Sequence, residues 1–187
     1  MPTPSRTSVE EIVASARRIL EADGLDGLTM QRVASDVGVR APSLYKHVRS
    51  RNDLVRLVTE DVARELAETI TGASSADPAA DLPALASAFR RFAHAHPRAY
   101  SLVFGPLPDA WRPDLGSLAP ANEAMMRTAA SLVGTEHALE GARLVVAWAH
   151  GFVSMELAGA FRLGGNVDDA FAFGVDRLAL ALASSRS

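Results

Sequence analysis

The chain has 187 residues, of which 48% are hydrophobic and 22% are charged, and its formal net charge at pH 7 is −3. This length allows one large or two small domains, and the absence of cysteine excludes disulfide bonds and thiolate metal sites. The sequence does not open with a cationic leader and an apolar core, so we expect a cytoplasmic protein.

The first helix is expected to begin after Ser8, because Ser8 and Glu11 have the spacing of a capping box. Apolar residues then recur at helical spacing and form a single stripe. Gly24 is expected to end this helix in a left-handed conformation.

The next two helices are short and meet at a glycine. Thr29 is expected to cap the second helix, and Gly38 stands where the chain needs a positive φ to leave it. The third helix can begin at Ala41-Pro42, since proline is tolerated in a first helical turn. This pattern predicts a helix-turn-helix whose second helix enters a DNA major groove.

No acidic residue lies between Asp36 and Asp53, whereas four basic residues lie there: Arg40, Lys46, Arg49 and Arg51. The rest of the chain must then carry −7, because −3 minus +4 is −7. A local cationic patch on an acidic protein is typical of a surface that contacts phosphate. The alternative is a merely solvated basic face, but its coincidence with the helix caps and the glycine turn favours DNA binding.

Three segments resemble the N-terminal DNA-binding domain of the TetR/AcrR family of bacterial transcriptional regulators: LTMQRVASDVGV at 28–39, SLYKHV at 43–48 and RNDLV at 51–55. The resemblance implies that the third helix lies in the groove and that the start of the fourth contacts phosphate. It implies base or near-base contacts from Arg40, Pro42, Ser43 and Lys46. It implies contacts to the DNA backbone from Thr29, Tyr45, His47 and Arg51. One such helix reads too few base pairs for a specific operator, so we predict a homodimer on a palindromic site in double-stranded DNA.

Beyond residue 51 the periodicity predicts helices at about 51–71, 82–94, 97–104, 121–133, 136–161 and 167–183, and no strand. The fold class is therefore all-α. We expect an N-terminal three-helix helix-turn-helix domain over residues 1–51, followed by a helical ligand-binding and dimerisation bundle over residues 52–187. The helix over 51–71 would connect the two.

The last two helices are apolar nearly all round, so each must bury two sides. A membrane span is not favoured, because Glu156, His150 and two glycines interrupt residues 144–161. We expect the second side to pack against the same pair of helices in a second subunit. The candidate interface residues are Val145, Trp148, Phe152, Met155, Phe173 and Leu180. The segment around Trp148 also resembles the C-terminal domain of a TetR subgroup named for a Trp-His-Gly signature, which implies effector binding.

Aromatic and methionine residues of the second region suit a cavity for a hydrophobic small molecule. The candidates are Phe89, Tyr100, Phe104, Trp111, Met126 and His150. The alternative is ordinary core packing, which such residues mostly serve. His94 and His96 point to different sides of a helix, so we predict neither a metal site nor a cofactor.

These features together predict a transcriptional regulator that is not an enzyme: a repressor released from its operator by a small hydrophobic effector. Two alternatives stay open. One is a constitutive DNA-binding regulator without an effector, and the other is an enzyme with a DNA-binding head. The sequence contains no nucleophile–base–carboxylate set and no phosphate-binding loop, so the enzyme is the less favoured.

Overall fold

The structure, a computed structural model, describes residues 7–185, so residues 1–6 of the predicted first domain and residues 186–187 lie outside it. The described part is helical without a strand, which confirms the all-α class. Its α-helices are α1 (Val9–Gly27), α2 (Met30–Asp36), α3 (Ala41–Leu44), α4 (Arg51–Gly72), α5 (Leu82–Ala95), α6 (Pro97–Phe104), α7 (Ala119–Val133), α8 (Ala138–Leu157) and α9 (Val167–Ser184).

These helices form two compact units. The first unit runs up to Arg64 and also includes His96–Ser117, so it holds α1, α2, α3, most of α4, and α6. The second unit consists of Glu65–Ala95 and the chain from Leu118 onward, and it holds the end of α4 with α5, α7, α8 and α9. The segment between α5 and α7 therefore packs with the N-terminal helices.

The start and the break of α1 follow from local chemistry. Ser8 Oγ accepts from the Glu11 backbone N–H at 3.2 Å, and the Glu11 carboxylate accepts from the Ser8 N–H at 3.2 Å, which confirms the capping box. Gly24 has a φ of +75° and interrupts the helix, which resumes as a short turn to Gly27. The large side chains buried in this unit include Ile12, Leu20, Leu28, Val33, Leu44, Val48, Leu54, Val55, Val58 and Leu102.

A buried hydroxyl ties α1 to α2. Ser15 is fully buried on α1 and donates to the Asp36 carboxylate at 2.6 Å, and Arg18 donates to the same oxygen at 2.6 Å. A buried hydroxyl without a partner would destabilise the fold, so this bond fixes where α2 ends against α1. The Ser15 hydrogen bond, and after it the Arg18 guanidinium, hold the pKa of Asp36 below its ordinary value.

An ionic network joins three helices of the second unit. Arg90 of α5 donates from Nε to Glu156 of α8 at 2.8 Å, and from Nη2 to both Glu156 and Asp168 of α9. The guanidinium lies over the Phe171 ring at 4.8 Å, and His94 Nε2 lies 2.9 Å from the Glu156 carboxylate. Hydrogen bonding to Arg90 first, and to His94 second, lowers the pKa of Glu156 to about 2. The carboxylate is therefore ionised at neutral pH, and Arg90, which binds both Glu156 and Asp168, holds the three helices together.

The C-terminal end of α8 differs from the sequence prediction. The helix ends at Leu157, so its predicted extension to Phe161 is wrong. Gly159 adopts a φ of +64°, its N–H donates to the Glu156 carbonyl, and the Ala160 N–H donates to the Met155 carbonyl. This is a Schellman motif, which turns the chain out of the helix. Within residues 7–185, no helix is both long enough and apolar enough to cross a membrane.

Trp148 of α8 packs directly onto the backbone of α9. Its ring lies 5.4 Å from that of Phe171 and 5.5 Å from that of Phe152, and a Cβ added at Gly174 would lie 2.2 Å from Trp148 Cζ2. No side chain fits at that distance unless the indole moves. The packing of Trp148 against α9 therefore requires a glycine at position 174.

We expect Gly174→Ala to destabilise the protein by about 1–3 kcal/mol, the usual cost of overpacking a filled site. The melting temperature should fall by roughly 2–10 °C for a protein of this size. Gly72→Ala is the matched control, because Gly72 is also helical and a Cβ there meets nothing within 4 Å. Equal melting temperatures for both variants would show that Trp148 does not pack as described.

Candidate nucleic-acid interface

The turn after α2 has the geometry that the sequence predicts. Thr29 Oγ1 accepts from the Arg32 N–H at 3.2 Å and so caps α2. Gly38 has a φ of +73°, its N–H donates to the Ser35 carbonyl, and the Val39 N–H donates to the Ala34 carbonyl at 2.8 Å. These two bonds form a Schellman motif and satisfy carbonyls at the end of α2. The chain leaves α2 in one defined direction.

The third helix is only four residues long. It covers Ala41–Leu44, and the chain continues as a turn to His47 before α4 begins at Arg51. Leu44 and Val48 are fully buried and anchor this region inward. We define Arg40–His47 as the recognition segment. Its shape depends on these anchors, because an isolated turn of helix is unstable in water.

The outer side of the recognition segment is exposed and polar. Tyr45 is 52% exposed, and the other exposed side chains are Arg40, Pro42, Ser43, Lys46 and His47. Within residues 7–185, the side chains of Arg40, Tyr45, Lys46 and His47 make no hydrogen bond or ion pair. Two cations and three hydrogen-bonding groups therefore face solvent on one short stretch of chain.

The acidic residues that bound this stretch are engaged elsewhere. Asp53 accepts from Arg56 Nη2 at 2.8 Å and from the Arg49 backbone N–H at 3.0 Å. The hydrogen bond from Arg56, followed by that from Arg49, lowers the pKa of Asp53. Asp36 is bound by Ser15 and Arg18, as described above. Neither carboxylate is paired with a cation of the recognition segment.

Arg51 lies at the start of α4 but is not a free cation. Its Nε donates to the Leu28 carbonyl at 2.8 Å and its Nη2 donates to the Leu25 carbonyl at 2.5 Å. The guanidinium also lies 5.7 Å from the centre of the Trp111 ring. Arg51 therefore ties α4 to the junction between α1 and α2, whereas the sequence predicts only a contact to phosphate.

Two further residues belong to this surface. Arg49 is exposed; charge patterning places it in the cationic patch, although it is not among the predicted DNA contacts. Asn52 is exposed at the start of α4 and accepts from Trp111 Nε1 at 3.0 Å. Because 59 positions separate Trp111 from Asn52, no local sequence signal indicates this contact.

The predicted ligand-binding residues are divided between the two units. Tyr100, Phe104 and Trp111 lie in the first unit, where the rings of Tyr100 and Phe104 are 4.9 Å apart. The other three, on α5, α7 and α8 of the second unit, are Phe89, Met126 and His150.

The second unit also contains a cavity of about 470 Å³, lined by Ser87, Arg90, Arg91, His94, Glu156, Asp168 and Phe171. Six of these seven residues are polar or charged, and none of them is a predicted ligand-binding residue. Among residues 7–185, no group of three or more His, Asp or Glu side chains is arranged to hold a metal ion.

The predicted interface residues fall into two groups. Val145 is only 3% exposed, and Trp148 and Phe152 pack against Phe171, so all three contribute to the core of their own unit. In contrast, Met155 is 49%, Leu180 57% and Phe173 65% exposed. Further exposed apolar residues on α8 are Leu139, Leu144 and Val146. Both terminal helices therefore present uncovered apolar side chains.

Comparison with known proteins agrees with this architecture. Residues 12–58 match the family model described as bacterial regulatory proteins, tetR family, and residues 82–178 match the one described as Tetracyclin repressor-like, C-terminal domain. The HTH-type transcriptional regulator Rv0681 of Mycobacterium tuberculosis is 35% identical over 167 residues, covering 83% of this chain and 73% of the relative. This chain belongs to the TetR family.

Other similarities are narrower or concern the fold. The tetracycline repressor protein class E of Escherichia coli is 31% identical over 58 residues, which cover 31% of this chain and 28% of that protein. A solved structure of a protein from Rhodococcus sp. RHA1 has a TM-score of 0.79 and 25% identity, covering 97% of this chain and 100% of the other. TetR-family proteins are transcriptional regulators and not enzymes; they bind DNA and small-molecule effectors, and they typically act as dimers.

Proposed function

We propose that this TetR-family regulator is a repressor that binds a palindromic operator through its recognition segment. One observation carries the proposal: the exposed side chains of Arg40–His47 have no partner within the described chain, and they follow a turn that fixes their direction. The recognition segment lies within residues 12–58, the part matched by the N-terminal family model. Acting on chromosomal DNA, the protein would work in the cytoplasm.

The chemistry of the segment suggests a role for each side chain. Arg40 and Lys46 are proposed to donate to guanine O6 and N7, while Pro42 and Ser43 lie against neighbouring base edges. Tyr45 and His47 are proposed to contact phosphate. Thr29 and Arg51 are proposed to donate to the DNA backbone with the groups that their internal hydrogen bonds leave over, namely the hydroxyl O–H of Thr29 and the Nη1 of Arg51.

The double variant Arg40→Ala/Lys46→Ala should bind the operator at least about tenfold more weakly, because each lost base contact costs roughly 1–3 kcal/mol. The experiment is fluorescence anisotropy on the DNA fragment that footprinting identifies upstream of the protein's own gene. Arg127→Ala is the control, because Arg127 is an exposed arginine of α7 in the second unit. A double variant that binds as tightly as the parent would refute the proposed interface.

We further propose that α8 and α9 form the dimer interface, with Met155, Phe173 and Leu180 at its centre. Exposed apolar side chains on two neighbouring helices are the usual mark of an association surface. We propose that this surface is supported by the more buried residues Val145, Trp148 and Phe152, because they contribute to the core packing of α8 and α9. A symmetric pair would present two recognition segments to the two halves of a palindrome.

Phe173→Glu should shift the protein from dimer to monomer in light scattering coupled to gel filtration, because it places a charge in the apolar contact. Asn122→Glu adds the same charge at an exposed position of α7 and should leave the dimer intact. If the parent is itself a monomer, or if Phe173→Glu stays dimeric, the interface lies elsewhere.

The regulatory part of the proposal is a small hydrophobic effector that binds within residues 52–187 and favours a conformation with low DNA affinity. Residues 1–51 would then read DNA, and α4 would connect the reading and regulatory parts. The proposed contacts in the second unit are Phe89, Met126 and His150. An effector can act only through different affinities for the two conformations.

A thermal-shift screen tests the effector, because a ligand stabilises the state that it binds. The charged side chains that line the 470 Å³ cavity, two arginines and two carboxylates, are a reason to include charged compounds beside hydrophobic ones. A compound that raises the melting temperature and also releases operator DNA would support the proposal. A protein that binds its operator but responds to no compound would support the alternative, a constitutive regulator.

A further inference from the structure

Residues 96–117 are attached to the N-terminal helices at two separate places. At the start of α6, the backbone N–H groups of Arg98 and Ala99 donate to the Glu21 carboxylate at 3.3 and 2.7 Å. After α6, a short 3-10 turn, Asp109–Trp111, brings the Trp111 indole to the start of α4. There it donates to Asn52 at 3.0 Å and lies over the guanidinium of Arg51.

Arg51 is the centre of this second attachment. Its planar group uses two donors on the carbonyls of Leu25 and Leu28, one on each side of the short turn that ends α1. Its Cζ lies over the indole ring of Trp111, 5.7 Å from the ring centre. A guanidinium is suited to this arrangement, because it can donate in its plane and stack on its face at once. Trp111 thereby restricts the side chain of Arg51, which holds α4 in place, and that of Asn52, the next residue.

The position of the recognition segment depends on the start of α4. The segment has four helical residues and is fixed at one end by the Schellman motif after α2 and at the other by its continuation into α4. Between Arg51 and His47 there are only three residues, one of which, Val48, is fully buried. A shift of the α4 N-terminus would therefore move the exposed side chains of the segment.

We propose that Trp111 is a positioning residue for DNA binding. Its indole holds Asn52 and Arg51 so that the start of α4, and with it the recognition segment, keeps the orientation that specific DNA contacts require. Trp111 itself contacts no DNA base in this role. The inference rests on the proposed function, because it assumes that Arg40–His47 is the surface that reads DNA.

Specific and non-specific binding should respond differently to the loss of Trp111. Contacts to base edges require an accurate orientation, whereas non-specific affinity depends mainly on the number of cations near phosphate. The substitution removes no charge. A positioning role therefore lowers operator affinity while leaving affinity for unrelated DNA nearly unchanged. A general loss of folded structure would lower both.

The experiment measures anisotropy for the full-length protein on two duplexes of equal length: the footprinted operator and an unrelated sequence. Trp111→Ala should weaken operator binding roughly tenfold, the size expected from losing a hydrogen bond and a cation–π contact, and change binding to the unrelated duplex by less than about twofold. Trp111→Phe keeps a ring but loses the N–H, so its loss should be smaller, at about threefold. Circular dichroism confirms that each variant is folded.

Two further variants sharpen the result. Asn52→Ala removes the acceptor of the indole, so adding it to Trp111→Phe should cause no additional loss. Arg112→Ala changes the neighbouring residue, whose ion pair is with Asp109 in the same turn, and should leave the ratio of operator to unrelated affinity unchanged.

The remaining outcomes count either against the positioning role of Trp111 or against the proposed function. An unchanged affinity ratio in Trp111→Ala would overturn the positioning role. Tighter binding of both duplexes would overturn it too, since it would show that the indole shields the charge of Arg51. If the parent protein prefers no fragment at all, the proposed function is wrong and the inference falls with it.

Discussion

Helix α3 has only four residues, so the rest of the first unit must hold it in shape. A single helical turn is unfavourable in isolation, so its geometry must come from packing and from its two ends. Leu44 and Val48 provide the packing, and both are fully buried. The Schellman motif at Gly38 fixes one end, and the arginine tie at the start of α4 fixes the other.

The same logic separates cations that hold the fold from cations that are available to a ligand. Arg18, Arg51 and Arg56 are each engaged by carboxylates or carbonyls within the first unit. Arg40 and Lys46 have no such partner among the described residues. The number of basic residues in this part of the sequence is therefore larger than the number of cationic side chains that are available to DNA. Because a bound guanidinium gains less from a new partner, the free cations are expected to dominate recognition.

The features that could be predicted from the sequence are those set by residues close together in the chain. The capping box at Ser8, the cap at Thr29 and the positive φ of Gly38 all depend on residues within five positions, and all three are present. The prediction for the end of α8 was wrong, because an apolar run after Gly159 resembles a continuing helix. The contact of Gly174 with Trp148 was not predicted, because no local pattern in the sequence indicates it. Contacts of this kind depend on side chains brought together by the fold.

The two terminal helices show how burial within the chain limits the surface left for association. Arg90, whose side chain is 18% exposed, joins α5 to Glu156 of α8 and to Asp168 of α9. Trp148 occupies the space between α8 and α9, so these helices cannot separate without exposing aromatic surface. The uncovered residues Met155, Phe173 and Leu180 therefore sit on a rigid support. A rigid apolar surface loses little conformational entropy on association, which favours its use as a contact between subunits.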